Sequence, residues 1–324
     1  MIKISLAMTT YNGERYIIRQ LDSLKNQTRE LDEVIICDDR STDNTATLVT
    51  EYIKCNKLDN WTFTINERNV GFAENFKKAI AMTSGDLIFL CDQDDEWHDD
   101  KIEKMANIIC SDENVSALVS SLEFIDQDSN KKMPEYIPNW YKKMNIGTQD
   151  EIRKIDFLSI CTTNFAPGCT MCFTREIARE YLEFKFAYSI AHDWLVSLIS
   201  SAHGGFYYIN SPMIDYRIHS NNAIGVKSAA KSKNTEQQLQ SMERLKSRYE
   251  IGIACNYKSA KQIMNNIDYI NARIIFYNTR KMRALLQVWK KSTTVYGIYK
   301  KQQLVNFKDL MYLLHLIFYL RGKK

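Results

Sequence analysis

Proline is scarce in this 324-residue chain, with 4 in all and none after Pro212. A long proline-free stretch leaves helices uninterrupted, and from Asn234 onward the pattern is helical almost throughout. Long apolar runs are missing as well. None approaches the ~20 residues that cross a bilayer, and Met1–Met8 lacks a basic segment followed by an extended apolar one. Without a spanning helix or an export signal, the expectation is a cytoplasmic chain. Cysteine is present but never dense. The eight residues Cys37, Cys55, Cys91, Cys110, Cys161, Cys169, Cys172 and Cys255 do not form the spacing of a small disulfide scaffold. Cys169-Thr-Met-Cys172 is the one close pair, and two further ligands at zinc-site spacing are missing around it. The cysteines therefore read as reduced, mostly buried thiols. Internal repeats and low-complexity blocks are absent too.

What is present suits a globular protein with a sizeable core: 45% hydrophobic and 25% charged residues. The formal net charge of +4 hides a step. From Lys227 to Lys324 there are 20 Lys/Arg against 5 Asp/Glu, whereas Met1–Val226 carries 23 against 34. An acidic body, 1–226, and a basic helical region, 227–324, are expected as separate domains with different partners. The partners that suit them are a metal-bound ligand and an anionic surface.

Along the body, apolar β-branched runs alternate with helical stretches, as in an α/β protein with a largely parallel sheet. Strands are predicted at Ile2–Met8, Glu33–Cys37, Trp61–Asn66, Asp86–Cys91 and Val115–Phe124. Helices are predicted at Gly13–Lys25, Thr45–Lys54 and Gly71–Thr83, the second capped by Ser41-Thr-Asp-Asn44. Ile125–Asp156 is weakly periodic and reads as an insertion or lid. Order returns at Gly168–Phe173, followed by helices near Arg175–Phe184 and from Asp193, and a strand at Gly205–Ile209.

Polar chemistry gathers where strands end, which is where open α/β sheets place ligands. Thr9-Thr-Tyr-Asn12 follows the first strand and Asp38-Asp-Arg-Ser-Thr-Asp43 the second. Together they could line a nucleotide pocket, with Tyr11 against the base and a carboxylate accepting a base N–H; the same residues also serve as turns and caps. Asp92-Gln-Asp-Asp-Glu96 follows a continuous apolar strand. Four carboxylates in five residues repel one another unless a cation sits among them, and oxygen ligands favour Mg²⁺ or Mn²⁺ over zinc. Asp193 in Ala191-His-Asp-Trp-Leu195 falls in the first turn of a helix, where a cap and a catalytic carboxylate look alike.

Taken together, Met8-Thr-Thr-Tyr-Asn-Gly13, Asp38-Asp-Arg-Ser-Thr-Asp-Asn-Thr45, Asn69-Val-Gly-Phe-Ala-Glu-Asn75, Gly85-Asp86, Cys91-Asp-Gln-Asp-Asp95 and His192-Asp-Trp194 resemble glycosyltransferase family 2. The resemblance covers roughly Met1 to Gly225. It implies the A-type nucleotide-diphospho-sugar transferase fold, a mostly parallel Rossmann-like sheet flanked by helices, here with a helical C-terminal extension. Residue by residue, it implies that Thr9, Tyr11 and Asp39 contact the base and ribose of a nucleoside-diphosphate-sugar donor, with Asp38 in support and Asn75 on the same side. Asp94 becomes the direct ligand of Mg²⁺ or Mn²⁺, Asp92 lies near the ribose or the metal, and Asp193 becomes the general base. Tyr216-Arg-Ile-His-Ser-Asn-Asn222 also resembles a segment of this family. There Arg217 could close over the diphosphate and His219 could complete the metal shell. The family often has Gly at the position of Arg40 and Glu at that of His192.

The implied activity is inverting sugar transfer to a saccharide acceptor. The run from Cys91 to Trp97, with Lys101 beyond it, is similar to the rhamnosyltransferase-like branch that builds bacterial surface polysaccharides. That similarity points to dTDP-L-rhamnose, with UDP-hexoses as the other donors. A degenerate transferase serving as a nucleotide-sugar binder or scaffold is the alternative, and the intact Asp94 and Asp193 argue against it. A sugar nucleotidyltransferase would carry a Gly-rich, basic phosphate loop after the first strand, which Thr9–Gly13 is not. The tail interleaves Arg280, Lys281 and Arg283 with aromatics but forms no nucleic-acid module. A lipid-linked acceptor would instead hold the basic tail at an anionic cytoplasmic leaflet. Asp309–Leu320 is apolar, and as a helix of ~18 Å it is too short to span a membrane. It reads as an interfacial anchor, or as a helix packed on the body or on a dimer partner.

Overall fold

The structure is a computed structural model. It describes residues 2–135, 137, 141–142, 148–164, 167–185, 190–219, 235–255, 257–279, 283, 284, 286–288 and 291. Asp309–Leu320 lies outside the described residues, as do parts of the 125–156 segment. The chain divides into two compact units, Met1–Ala229 and Ala230–Lys324.

The first unit opens with three strand–helix repeats. β1 (Ile4–Thr10) is buried at every position, and α1 (Ile17–Lys25) turns Ile17, Leu21 and Leu24 to the core. This is the stripe that a 3.6-residue period produces. β2 (Glu33–Asp38) is nearly as buried and leads to α2 (Thr45–Asn56). The capping bond of α2 comes from Asp43, whose Oδ1 accepts from the Thr45 amide at 3.0 Å. β3 (Trp61–Ile65) and α3 (Phe72–Met82) complete the third repeat. β4 (Leu87–Cys91) is fully buried, as its unbroken apolar sequence requires.

From here the chain is less regular. A two-residue β5 (Glu96–Trp97) precedes α4 (Lys101–Ser111), and β6 (Ala117–Ile125) re-enters the core. β7 (Ile152–Lys154) and α5 (Phe157–Thr162) follow, the helix capped by Asp156. A short 3₁₀ turn at Gly168–Thr170 leads into β8 (Met171–Thr174), α6 (Arg175–Glu183), α7 (His192–Ala202) and β9 (Phe206–Arg217).

The nine strands form one sheet in the order β3-β2-β1-β4-β8-β6-β9-β5, with β7 beside β9. β3, β2, β1 and β4 pair in parallel. β8 runs antiparallel between β4 and β6, and β9 pairs in parallel with β6. Six strands therefore share one direction, and β5, β7 and β8 oppose it. The mostly parallel sheet matches the sequence expectation, but β9 is 12 residues long, well beyond the predicted Gly205–Ile209. Its pairing with β6 is interrupted by register shifts around Ser120–Glu123, opposite Pro212, which breaks the alternation that marks a strand.

All eight cysteines are free thiols, six of them buried. The second unit contains two 20-residue helices, α8 (Thr235–Ala254) and α9 (Ala260–Thr279). Neither is long and apolar enough to cross a membrane, nor is any other described helix.

Candidate active site

The carboxyl ends of β1, β2 and β4 open on a cleft of about 900 Å³ in the first unit. Its walls include Thr9, Tyr11, Asp39, Asn75, Asp92, Asp94, Asp193 and His219, so eight of the residues singled out in the sequence meet there. Asp38 and Arg217 are not among the lining residues.

The β1 and β2 ends are built from interlocking turns. Asp39 is almost fully buried, and its carboxylate accepts from the amides of Val70 and Gly71, each at 2.8 Å, and from Asn66 Nδ2 at 2.9 Å. Gly71, at φ 85°, opens α3 and lets the backbone turn its amide toward Asp39. This explains the Asn69-Val-Gly segment: it holds the carboxylate that faces the cleft. Asn75 accepts from Asn66 Nδ2 at 2.8 Å and donates to the Cys37 carbonyl at 2.8 Å, so it ties α3 to β2 as well as lining the cleft. Asp38 points the other way. It is fully buried and accepts from Thr10 Oγ1 at 2.7 Å and from the Ser41 amide and hydroxyl at 2.7 and 2.5 Å. Asp38 therefore braces the turn beside Asp39 and does not line the cleft.

The acidic loop after β4 splits into two environments. Asp94 and His219 face each other, Oδ2 to Nε2 at 2.8 Å, and the His219 ring lies 4.9 Å from that of Tyr16. Asp92, Asp95 and Cys169 have ligand atoms within 4.8 Å of one another. Burial, then the charges of Asp94 and Asp193, push the Asp92 carboxyl up to about 7. Burial and the charges of Asp94 and Asp92 raise Asp95 well above the carboxylate range, against hydrogen bonds from the Arg217 amide and the Cys169 thiol. Carboxyls held this close to one another are short of positive charge, and a divalent cation at the loop is one way to supply it. Burial and these same carboxylates raise the Cys169 thiol too, which keeps it protonated and leaves an oxygen and imidazole donor set that fits Mg²⁺ or Mn²⁺.

Two buried cations brace this loop from below. Arg217 is fully buried: Nε donates to the Asp94 carbonyl at 2.8 Å, Nη1 to the Asp126 carbonyl at 2.9 Å and Nη2 to Glu96. Its amide donates to Asp95 Oδ1 at 3.0 Å. A guanidinium with its donors directed at protein oxygens cannot close over a diphosphate, so that expectation is corrected: Arg217 holds the loop. Lys101 is also fully buried, donating to the Cys169 carbonyl with Nζ 3.6 Å from the centre of the Trp97 ring. The sequence reading gave neither residue this role, because lysine and arginine are almost never fully buried unless paired.

On the opposite wall, Asp193 sits in the first turn of α7 and is nearly buried. It accepts from the Trp194 amide at 2.6 Å, and Asn164 and the Gly168 backbone also hydrogen-bond it. Burial outweighs these bonds and raises its carboxyl to about 6. Beside it, His192 stacks on Phe76 at 3.9 Å, and burial lowers its ring to about 3, so the imidazole is neutral. Asn164, Pro167 and Gly168 also line this wall, and no sequence signal marked them.

The profile of glycosyl transferase family 2 matches residues 5–185, more than half of the chain. The dTDP-rhamnosyl transferase RfbG of Shigella flexneri is 28% identical over 243 residues, 70% of this chain and 76% of that protein. Among solved structures, S. aureus TarS 1-349 in complex with UDP-GlcNAc is similar with a TM-score of 0.57 at 18% identity, over 90% of this chain and 79% of that one. The mannosyltransferase PcManGT from Pyrobaculum calidifontis, in complex with GDP-Man and Mn²⁺, is similar at 0.50 and 16% identity, over 96% and 80%. The sheet described above is thus that of the A-type glycosyltransferases, with a helical C-terminal region added. The match from residue 5 to 185 spans β1 through α6 and the polar segments after β1, β2 and β4, and with it the chain belongs to glycosyltransferase family 2.

Proposed function

We propose that the protein is a metal-dependent inverting glycosyltransferase that moves a sugar from a nucleoside-diphosphate donor to a saccharide acceptor. One observation carries the reading: Asp94 with His219, Asp92 and the partly protonatable Asp193 share a single cleft with the Thr9, Tyr11 and Asp39 wall. The donor's base and ribose lie along Thr9, Tyr11 and Asp39. Asp94, with Asp92 and His219, would hold Mg²⁺ or Mn²⁺, which would neutralise charge developing on the leaving diphosphate. Asp193 accepts the proton of the acceptor hydroxyl as its oxygen bonds to the anomeric carbon. The bond from that carbon to the diphosphate breaks on the opposite face, so one displacement inverts the configuration. The similarity to the dTDP-rhamnosyl transferase RfbG supports dTDP-rhamnose as donor, with a UDP-hexose as the other candidate; in this reading the acceptor belongs to bacterial surface-polysaccharide synthesis.

Residues 1–226 form the catalytic domain in this reading. The basic region 227–324 attaches peripherally to an anionic leaflet that carries a lipid-linked acceptor. Incubation with UDP-, dTDP- and GDP-sugars, with Mn²⁺ or with EDTA, followed by mass spectrometry, tests the chemistry. One sugar is expected to be consumed only with metal and acceptor present, and Asp94→Ala is expected to abolish that consumption. Full activity with EDTA in a sample verified free of metal would remove the metal assignment. Salt-dependent binding to anionic liposomes, without RNA binding, tests the tail.

A further inference from the structure

The loop after β1 has every amide from Tyr11 to Glu14 taken by a side chain. Three come from the β2 side: Ser41 Oγ accepts from Asn12 at 2.9 Å, Thr45 Oγ1 from Gly13 at 2.8 Å and Asp43 Oδ2 from Glu14 at 3.1 Å. The fourth comes from the acidic loop. Gln93 Oε1 accepts from the Tyr11 amide at 2.7 Å, and Gln93 Nε2 donates to the Tyr11 carbonyl at 3.0 Å. A primary amide paired both ways with the backbone N–H and C=O of one residue copies a sheet bridge, and the two bonds together fix which end of the amide carries oxygen. Gln93 lies between Asp92 and Asp94, and Tyr11, 82 residues away, is half exposed on the cleft wall.

Gly13 shows how closely the side chain is accommodated. A Cβ there would stand 2.3 Å from Gln93 Oε1 and 2.5 Å from Cδ, too near for both to remain. The glycine is needed for this approach, because no left-handed backbone angle demands it. Thr45 grips the Gly13 amide from the other side at 2.8 Å, so the loop cannot simply retreat from Gln93.

We propose that Gln93 is a positioning residue: it clamps the nucleoside loop Tyr11–Gly13 to the metal-bearing loop, and Gly13 is there to admit it. The inference rests on the donor-binding reading above. A strut between these two loops sets the distance between the surface that receives the base and the carboxylates that face the diphosphate. The base is remote from the bond that breaks, so its contacts are equal in the ground and transition states. Losing their alignment weakens donor binding and raises KM, while kcat is held.

The test is a double-mutant cycle on Gln93→Ala and Gly13→Ala in the full chain. Kd is measured by calorimetry for the uridine, thymidine and guanosine diphosphates with Mn²⁺. With the preferred diphosphate, Gln93→Ala is expected to raise Kd about tenfold, and with the corresponding sugar donor to raise KM similarly while kcat stays within about threefold. Gly13→Ala is expected to do the same in the wild-type background, because the methyl expels Gln93, and to change Kd less than about twofold once Gln93 is already alanine. Gln93→Glu keeps the acceptor for the Tyr11 amide but loses the donor, and is expected to fall between wild type and Gln93→Ala. A thermal melt unchanged across the set accompanies these outcomes, and a variant that binds poorly because it is unfolded would count against the clamp. Wild-type protein that binds none of the three diphosphates would remove the donor reading and this inference with it. Wild-type binding with a Gln93→Ala Kd within twofold, or equal Gly13→Ala effects in both backgrounds, would overturn the clamp alone.

Discussion

The two walls of the cleft are built from different materials. The β1–β2–β4 side is a lattice of short-range turns, in which the amides of residues 11–14, 70 and 71 are met by side chains reaching over from neighbouring strands. The side formed by α7, β9 and the acidic loop relies on buried ionisable groups: Asp193, His192, Asp95, Lys101 and Arg217. A lattice of backbone hydrogen bonds, three of them to the Asp39 and Asp43 carboxylates, fixes shape. A set of buried charges tunes proton affinity and is costly to disturb. Substitutions on the first wall should therefore register in binding, and those on the second in turnover and in folding.

The sharpest way to break this comparison is Asp193→Asn. The amide retains the shape of the carboxylate and can still accept from Trp194, but cannot take the acceptor's proton. Turnover is expected to fall by at least ~100-fold, with the Kd for nucleoside diphosphate unchanged. The same substitution should raise Tm at neutral pH. The Asp193 carboxyl is lifted to about 6 by burial, so the folded protein holds that proton more tightly than the unfolded chain does. Its ionisation costs no stability below pH ~4, costs progressively more up to about 6, and thereafter levels off. Near-normal turnover would assign the base to another carboxylate.

Lys101→Met probes the folding side of the same wall. Methionine fills much of the volume but leaves the Cys169 carbonyl without its donor and removes one of the two buried cations beside Asp92 and Asp95. Breaking a buried charged arrangement costs ~3 kcal/mol, so a clear drop in Tm is expected in thermal melts. Gln93→Ala, at the lattice wall, is expected to melt normally. Equal melts for the two would erase the distinction.

A smaller effect sharpens it. As the proposed base, Asp193 would have to be ionised to act, so kcat/KM is expected to fall about tenfold per pH unit below about 6. Asn164 hydrogen-bonds this carboxylate and lowers its proton affinity. Asn164→Ala should move the acid limb to higher pH, whereas Thr9→Ala on the lattice wall should leave it in place. A limb unmoved in Asn164→Ala would mean that the rate follows some other group.

The two walls also differ in how much the sequence disclosed. On the lattice side, strand, turn and helix follow one another locally, so apolar runs and the acids that end them predicted β1 to β4 and α1 to α3 within a few residues. Asp39 was legible because it stands beside the end of its strand, whereas Asn75 was reached only through the family resemblance. The other side is assembled from distant segments, and polarity misled. Lys101 and Arg217 are charged residues at the centre of packing, and α4 and β5 were overlooked although Lys101 and Trp97 lie within them. Contacts between residues 82 positions apart, such as Tyr11 with Gln93, leave no periodic signature at all.

Arg40 offers the mildest test, because it separates what a backbone needs from what a side chain adds. It stands at φ 63°, in the left-handed region, immediately after the buried Asp39. The family's frequent glycine at this position fits that geometry. Holding a non-glycine residue there costs roughly 1–2 kcal/mol, and glycine removes that cost. Against it, glycine loses roughly 0.5–1 kcal/mol more to chain entropy on folding. The exposed bond from Arg40 Nη1 to the Glu67 carbonyl would also go, at about 0.5 kcal/mol. These contributions nearly cancel, so Arg40→Gly is expected to change stability by less than ~0.5 kcal/mol in denaturant melts. Arg40→Val differs in one respect, because a β-branched residue tolerates positive φ far less well than arginine. It is expected to destabilise by ~1–2 kcal/mol and to loosen the Asp39 loop, raising the Kd for nucleoside diphosphate. If valine is tolerated as well as glycine, the left-handed turn is not what holds this end of the lattice. The anchoring would then lie wholly in the Asp39 carboxylate and the amides of Val70 and Gly71.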